Sequence, residues 1–151
     1  MESNQCMICK RIEAIKKNTN EQFICELDTC YVVLGDSQFY KGYSLLLSKD
    51  HKTELHQLKE SIKLQYLKEM SVVAQAIQMV FSPIKLNYEL LGNRHPHLHW
   101  HIFPRYEDDP DIHNPVWIID KEIRNHTILN ENDLEKRKAT LKKAIFSLLY
   151  V

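Results

Sequence analysis

The chain contains 151 residues, of which 44% are apolar and 26% charged, the composition of one ordinary globular domain. Twenty basic and twenty acidic residues cancel to a formal net charge of zero at pH 7. This balance disfavours a protein whose main task is to hold nucleic acid by its phosphates, so we predict no nucleic-acid partner.

The sequence contains no apolar run long enough for a signal peptide or a membrane span. We therefore expect a cytoplasmic protein with no membrane partner. The four cysteines are Cys6, Cys9, Cys25 and Cys30. They could form two disulfides, but in a reducing compartment a Cys-x-x-Cys pair more often binds metal or serves redox chemistry. We interpret all four as thiols and expect Cys25 and Cys30 to pack in the core.

The first half of the chain predicts one short helix, three strands and one long helix. The short helix covers 6–16, and the strands cover 22–26, 29–35 and 43–48, where β-branched, aromatic and leucine residues concentrate. From Leu55 to Phe81, apolar residues recur at steps of three and four, and Pro83 closes the pattern. This amphipathic helix is predicted to pack on a sheet and is given no catalytic role.

The second half predicts two strands, 86–91 and 97–103, then a polar segment over 105–115 and a C-terminal helix over about 133–150. The order is strands, helix, strands, helix. With short loop signals between the strands, this order favours an α+β domain with a mainly antiparallel sheet over a parallel βαβ fold.

Four of the eight histidines fall within seven residues, beginning at His95. In a strand, His97, His99 and His101 project to one face, while the residues between them face the core. The simplest explanation is that these histidines form a half-exposed polar face on an ordinary strand. Buried imidazoles need partners for both ring nitrogens, however, so three in register are costly unless a metal, an anion or a reaction uses them.

The segment His97-Leu-His-Trp-His-Ile-Phe103 resembles the His-φ-His-φ-His-φ-φ signature of the histidine-triad (HIT) superfamily of nucleotide hydrolases and transferases. The resemblance is strongest over 6–117, from Cys6-Met-Ile-Cys9 to Pro104-Arg-Tyr106, and is to the bacterial-type, diadenosine polyphosphate hydrolase-like branch. It implies a single HIT-like domain over 1–151: a five-stranded sheet, a long helix after the third strand and a C-terminal helix over 130–151. It also implies a homodimer.

The family mechanism places the nucleophile at His99. The resemblance implies that His99 attacks the α-phosphorus of a nucleoside phosphoramidate or dinucleoside polyphosphate, and that water hydrolyses the resulting nucleotidyl-histidine. The imidazole must attack in its neutral form, with its tautomer fixed by a hydrogen bond from the other ring nitrogen. His101 is expected to contact the phosphate in the transition state. The transferase branch carries glutamine at that position, so His101 favours hydrolysis.

Further substrate contacts are implied by the same resemblance. Asn93 stands where the family has an amide near the phosphate, and Asp36 matches the acidic residue for the ribose hydroxyls, with Asp28 as a weaker alternative. Met7 and Ile8 are candidates for a wall of the base pocket, although core packing explains them equally well.

Two positions depart from the family pattern. Tyr43 stands where the family commonly has histidine near the phosphates, and Ser48 stands where proline is usual.

The resemblance also implies a structural zinc site that includes the Cys-x-x-Cys pair. In metal-bearing members of the superfamily this pair joins one histidine after the third strand and the first histidine of the triad. The set in this chain is Cys6, Cys9, His51 and His97. Four N/S ligands that close around an ion are typical of structural zinc. The alternative is that the thiols are small buried hydrophobic groups.

Two other functions remain open at this point. In one, His97, His99 and His101 together ligate a catalytic zinc, as alternate residues of a strand can do. In the other, the protein is a non-catalytic nucleotide- or zinc-binding module. Turnover that resists chelators, turnover abolished by chelators, and no turnover on any nucleotide separate the three hypotheses.

Overall fold

The computed structural model describes residues 6–150 and shows helices on both faces of one sheet. The helices are α1 (Met7–Lys16), α2 (Glu60–Phe81), α3 (Lys121–Arg124) and α4 (Glu131–Leu149). The strands are β1 (Phe23–Glu26), β2 (Cys30–Leu34), β3 (Ser44–Ser48), β4 (Lys85–Glu89) and β5 (His99–Arg105). Short 3₁₀ turns lie at Leu55–Gln57 and Val116–Ile118. Across the described part of the chain, no helix is both long and apolar enough to span a membrane.

The five strands pair antiparallel in the order β1-β2-β3-β5-β4. The α+β prediction, with the long helix after the third strand, is therefore confirmed. Because side chains alternate along each strand, the two faces of the sheet carry separate cores. Val32, Leu46 and Ile102 face α2 and α4 in the larger core, which also buries Cys25 and Cys30. The smaller core lies between the other face and α1.

Helix α2 begins five residues later than the apolar spacing predicts. Leu55–Gln57 forms a separate 3₁₀ turn, and the chain is extended at Leu58 (ψ 146°) before α2 starts at Glu60. The buried Leu58 still contacts the larger core. The helical spacing therefore continues across a break in the helix, because both parts deliver apolar side chains to the same core.

Strand β5 begins and ends two residues later than predicted, despite Pro104. The backbone carbonyl of Arg105 accepts from Ile84 on the β4 side, so the nitrogen of Pro104 faces the β3 side. Strand β3 does not extend as far as Pro104, because its first residue, Ser44, pairs with Ile102. Pro104 is tolerated in a central strand since no partner on that side requires its missing N–H.

A buried carboxylate fastens the β1–β2 turn to α2. Glu69 is 1% exposed, and its oxygens accept from Asp28 N (3.0 Å), Thr29 N (3.1 Å) and Thr29 Oγ1 (2.5 Å). Gln65 Nε2 donates to the same carboxylate at 3.0 Å. Charge-assisted bonds of this kind satisfy turn groups that have no strand partner.

We expect Glu69→Ala to lower the free energy of unfolding by about 3 kcal/mol, because it leaves the partly buried N–H of Asp28 and the buried N–H and hydroxyl of Thr29 without their acceptor. Urea denaturation measures this change. The matched control is Glu135→Ala in α4, whose exposed carboxylate pairs only with Lys138 and should cost less than about 0.5 kcal/mol. Equal losses in the two variants would contradict the role assigned to Glu69.

Candidate active site

The candidate site lies on the sheet face that carries α1. Helix α1 packs against Tyr31, Val33, Leu45 and Leu47 of β2 and β3 and leaves the neighbouring β5 outside its cover. The side chains of β5 that share this face are His99, His101 and Phe103. An open cleft remains over β5 because the helix is confined to one half of the sheet.

His97 lies outside the strand and belongs to a different environment from the other two histidines. The prediction of a strand from residue 97 is wrong by two residues, since the chain bends at His97 and pairing starts at His99. The His97 ring donates from Nε2 to the carbonyl of Ser48 (2.8 Å), and its Nδ1 lies 3.5 Å from both Cys6 Sγ and Cys9 Sγ. The three imidazoles therefore do not share one face: His97 lies beside the cysteines, whereas His99 and His101 remain together on β5.

His99 is held in a single tautomer by the backbone. Its Nδ1 lies 2.6 Å from the carbonyl oxygen of His97, which can only accept, so Nδ1 carries the proton and Nε2 carries the lone pair. The side chain is buried, and burial lowers the pKa of His99 despite the opposing effect of the hydrogen bond to His97. The ring therefore presents a neutral nucleophilic nitrogen.

His101 is also neutral, and Tyr43 fixes its orientation. Burial lowers the pKa of His101 to about 3, with a smaller contribution from neighbouring His99. Tyr43 Oη lies 2.7 Å from His101 Nδ1, and burial raises the pKa of the phenol. Because a phenol is the better donor and an imidazole nitrogen the better acceptor, we assign Tyr43 O–H as the donor. His101 then keeps its proton on Nε2 and can donate it to an anion.

The absence of a side chain at Gly35 allows the Tyr43 ring to pack closely against the backbone. It stacks on Phe103 with centroids 4.0 Å apart, and a Cβ at Gly35 would lie 2.0 Å from the ring. A side chain at residue 35 would displace the tyrosine, so Gly35 is required by the close approach. The departure from the family's usual histidine at position 43 is accommodated by this local packing.

Two adjoining cavities open over β5. The larger, of about 410 Å³, is lined by His99 and His101 together with Asn93, Arg94 and Lys121. The smaller, of about 170 Å³, is lined by Arg11, Asp36, Ser37 and Tyr40. Trp117, Arg124 and Asn125 line both. The two cavities are therefore parts of one groove.

The proposed substrate residues divide between these cavities. Asn93 lies with the two histidines, and Asp36 lines the smaller cavity, where it forms an ion pair with Arg11. The structure does not bring Met7 and Ile8 to either cavity: Met7 is half exposed, and Ile8 is buried in the smaller core. Core packing, the alternative explanation, accounts for Ile8.

Several lining residues carry no signal in the sequence. Trp117 could be suspected of covering the site, but Arg11, Lys121 and Arg124 belong to no motif. Arg124 stacks over the Trp117 ring at 4.9 Å, and Trp117 Nε1 donates to Glu89 at 2.5 Å. Their places depend on tertiary contacts of an irregular segment, so spacing along the chain does not reveal them.

The predicted metal ligands converge. One ligand atom from each of Cys6, Cys9, His51 and His97 lies within 4.8 Å of the others. Cys9 Sγ is 3.0 Å from His51 Nδ1 and 3.5 Å from His97 Nδ1. Tetrahedral zinc with ordinary Zn–S and Zn–N bonds separates sulfur from nitrogen by about 3.6 Å. The bond from His97 Nε2 to Ser48 orients the ring as an outer partner of a metal ligand does. The donor set therefore fits zinc.

The alternative of three triad histidines around one ion does not fit the geometry. His97 turns Nδ1 to the cysteines and donates from Nε2 to Ser48, while His99 donates from Nδ1 to a carbonyl. In residues 6–150 the triad does not form a cluster of ligand atoms, whereas the two cysteines and two histidines do. The triad is therefore divided between the Cys/His cluster, which contains His97, and the larger cavity, which His99 and His101 line.

Comparisons with known proteins identify relatives in sequence and in fold. Protein hit of Bacillus subtilis (strain 168) is 30% identical over 113 residues, which cover 69% of this chain and 73% of that protein. The crystal structure of a histidine triad protein from Bradyrhizobium japonicum has 25% identity and a TM-score of 0.74, and the match covers 85% of this chain and 94% of that chain.

A Zn-bound histidine triad family protein from Mycobacterium smegmatis has the same fold, with a TM-score of 0.66, 19% identity and 97% of each chain covered. The family model described as HIT domain matches residues 16–108, more than half of the sequence. The chain therefore belongs to the HIT family.

Proposed function

We propose that the protein is a nucleotide hydrolase that cleaves at the α-phosphate through a covalent nucleotidyl-histidine on His99. Family membership supports nucleotide hydrolase or transferase activity in general. The observation that carries the specific proposal is the 2.6 Å bond from His99 Nδ1 to the His97 carbonyl, because it leaves the Nε2 lone pair available in a ring that lines the larger cavity.

The reaction proceeds in two displacements. His99 Nε2 attacks the α-phosphorus, a P–N bond forms, and the bond to the leaving group breaks with its electron pair on that group. The positive charge that develops on the imidazole is stabilised by the His97 carbonyl that accepts from Nδ1. Water then attacks the same phosphorus, and the P–N bond breaks with its electron pair returning to Nε2. One proton of the water is released to solvent, and the nucleoside monophosphate leaves a neutral His99.

His101 and Asn93 stabilise the negative charge of the phosphoryl oxygens. With Nδ1 accepting from Tyr43, His101 offers its Nε2–H as a neutral donor, and Asn93 offers a side-chain amide in the same cavity. Donors that are oriented before the reaction do not have to reorganise as charge develops. Tyr43 thus acts as a positioning residue, and His101, where transferases carry glutamine, favours water as the acceptor.

Asp36 is proposed to bind the ribose hydroxyls. It lines the smaller cavity next to Tyr40, and its ion pair with Arg11 orients the carboxylate there. The nucleoside then occupies the smaller cavity and the α-phosphate lies over His99. Homodimer formation, a cytoplasmic location and membership of the diadenosine polyphosphate hydrolase-like branch stay predictions.

Cys6, Cys9, His51 and His97 are proposed to hold a structural zinc. When bound, zinc would cross-link the start of α1, the segment after β3 and the segment before β5. The carbonyl oxygen of His97 also accepts the hydrogen bond that fixes the His99 ring. The proposed zinc cluster therefore helps to position the nucleophile and takes no part in the chemical step. The Zn-bound relative supports this proposal.

We expect His99→Ala to lower kcat by on the order of 1,000-fold or more while nucleotide binding changes less than about threefold, since only the attacking nitrogen is lost. Steady-state hydrolysis and equilibrium binding of a non-hydrolysed nucleotide measure the two effects. Wild-type protein quenched during turnover should carry an acid-labile nucleotidyl group that the variant lacks. The control is the exposed His113→Ala, which should behave as wild type. Wild-type turnover by His99→Ala would falsify the assignment.

The low pKa of His101 predicts a pH dependence of stability. In the unfolded chain the ring takes up a proton as pH falls through 6.5, whereas the folded ring stays neutral down to about 3. Its contribution is present above pH 6.5 and is lost progressively as pH falls toward 3. Between pH 7.0 and 5.5, urea unfolding should show the wild type losing about 1 kcal/mol more than His101→Gln. The other histidines titrate in both proteins, and equal losses would show that His101 is not held neutral.

Protein purified without chelators should contain about one zinc per chain by elemental analysis. Cys6→Ser and Cys9→Ser should lose zinc and melt at lower temperature, while the rate of the chemical step in a single turnover changes less than about threefold. The control Cys25→Ser alters a buried thiol outside the cluster and should keep its zinc. Zinc-free wild-type protein, together with serine variants that melt like the wild type, would remove the site.

A further inference from the structure

We propose that the larger cavity is a subsite for a phosphate chain, held by Arg94, Lys121 and Arg124, so that the leaving group is a polyphosphate and not an amine. This inference rests on the proposed function and narrows its substrate class. The nucleoside side of the groove is excluded from the subsite, since Asp36 and Tyr40 line only the smaller cavity.

The charged residues that line the larger cavity are all basic. Arg94, Lys121 and Arg124 line it, and no aspartate or glutamate does, although the whole chain has as many acidic as basic residues. Within residues 6–150, none of the three cations lies within 4.0 Å of a carboxylate. Cations gathered in a cleft without counter-charges attract an anionic ligand and raise its rate of encounter.

Arg124 is fixed in place by neutral contacts. Its guanidinium stacks over Trp117, and its Nε donates to the carbonyl of Ile119 at 2.9 Å. Its own carbonyl accepts from Ser37 Oγ at 2.6 Å. Glu89, the carboxylate beside Trp117, accepts from the indole. Burial raises the pKa of Glu89 and the charge of Arg124 opposes this shift, but in the described part of the chain the two side chains form no ion pair within 4.0 Å. These contacts hold the arginine and leave its charge for a ligand, and a planar guanidinium is suited to paired bonds with phosphate oxygens.

The three cations come from two walls of the cavity. Arg94 follows Asn93 in the loop before β5, whereas Lys121 and Arg124 belong to α3. His99 is buried, and Arg94 and Lys121 are exposed, so the cations lie outward from the nucleophile. In an in-line displacement the leaving group departs on the side opposite the attacking nitrogen, which places it between these walls.

The chemistry of departure agrees with this placement. When the α-phosphorus–oxygen bond breaks, a phosphate chain keeps the electron pair and leaves as an anion that is stable near neutral pH. An amine leaving group must instead receive a proton. His101, whose pKa burial lowers to about 3, is neutral and offers a weak acid only. A site with three cations and no strong acid is therefore matched to a phosphate leaving group.

The test uses three substrates with the same adenosine α-phosphate: diadenosine tetraphosphate, adenosine 5′-tetraphosphate and adenosine 5′-phosphoramidate. For the double variant Arg94→Ala/Lys121→Ala we expect kcat/KM on the two polyphosphates to fall by about 10- to 100-fold, while the value for the phosphoramidate changes less than about threefold. Rising salt should slow wild-type turnover of the polyphosphates and leave the phosphoramidate unaffected.

The matched control is Lys136→Ala/Lys143→Ala, which removes the same charge from exposed positions of α4 and should leave all three rates unchanged. Equal turnover of the two polyphosphates, or a preference for the dinucleotide, both support a phosphate-chain subsite, the latter with a contact to the second nucleoside. Turnover of the phosphoramidate alone, or equal losses on all substrates, overturns the subsite and leaves the proposed hydrolase intact. No turnover and no trapped nucleotidyl group on any substrate overturns both.

Discussion

The imidazole and backbone of His97 connect the two cysteines, strand β3 and His99. Its Nε2 donates to Ser48 at the end of β3, its Nδ1 faces Cys6 and Cys9 at the start of α1, and its carbonyl accepts from His99. A buried histidine needs partners on both ring nitrogens, and here the two partners belong to two different elements. The position of the His99 ring thereby depends on contacts that His97 makes with both the sheet and the N-terminal helix, although His97 does not line the cavity.

Much of the fold follows from the sequence because side-chain periodicity reports burial. The alternation at His99, Trp100 and His101 predicts which face meets the core, and the structure confirms it. Boundaries were less predictable where the chain leaves regular geometry without leaving the core. Leu98 remains buried while its N–H donates to Lys52 instead of to a strand. A hydrophobic pattern cannot distinguish such a residue from a true strand member, since both exclude water equally.

The residues that tune the site were harder to predict, because their roles depend on neighbours far away in the chain. Tyr43 reads in the sequence as a departure from the family pattern, yet its hydroxyl reaches His101, 58 residues later, in a space that Gly35 leaves open. Arg124 owes its orientation to Trp117 and Ser37. An arginine in a polar segment is usually solvated, so nothing local distinguishes this one.

The segment that carries Lys121 and Arg124 lies beyond the part of the chain that matches the HIT domain, whereas His99 and His101 lie within it. Of the three cations proposed to hold the leaving group, Arg94 lies within the HIT-matched stretch, whereas Lys121 and Arg124 lie beyond it. On the proposed function, substitutions at Lys121 and Arg124 would alter the preference for the leaving group and leave intact the hydrogen bond that fixes the tautomer of His99. The two proposals together therefore imply that the leaving group can be changed through an exposed segment that is not part of the packed sheet.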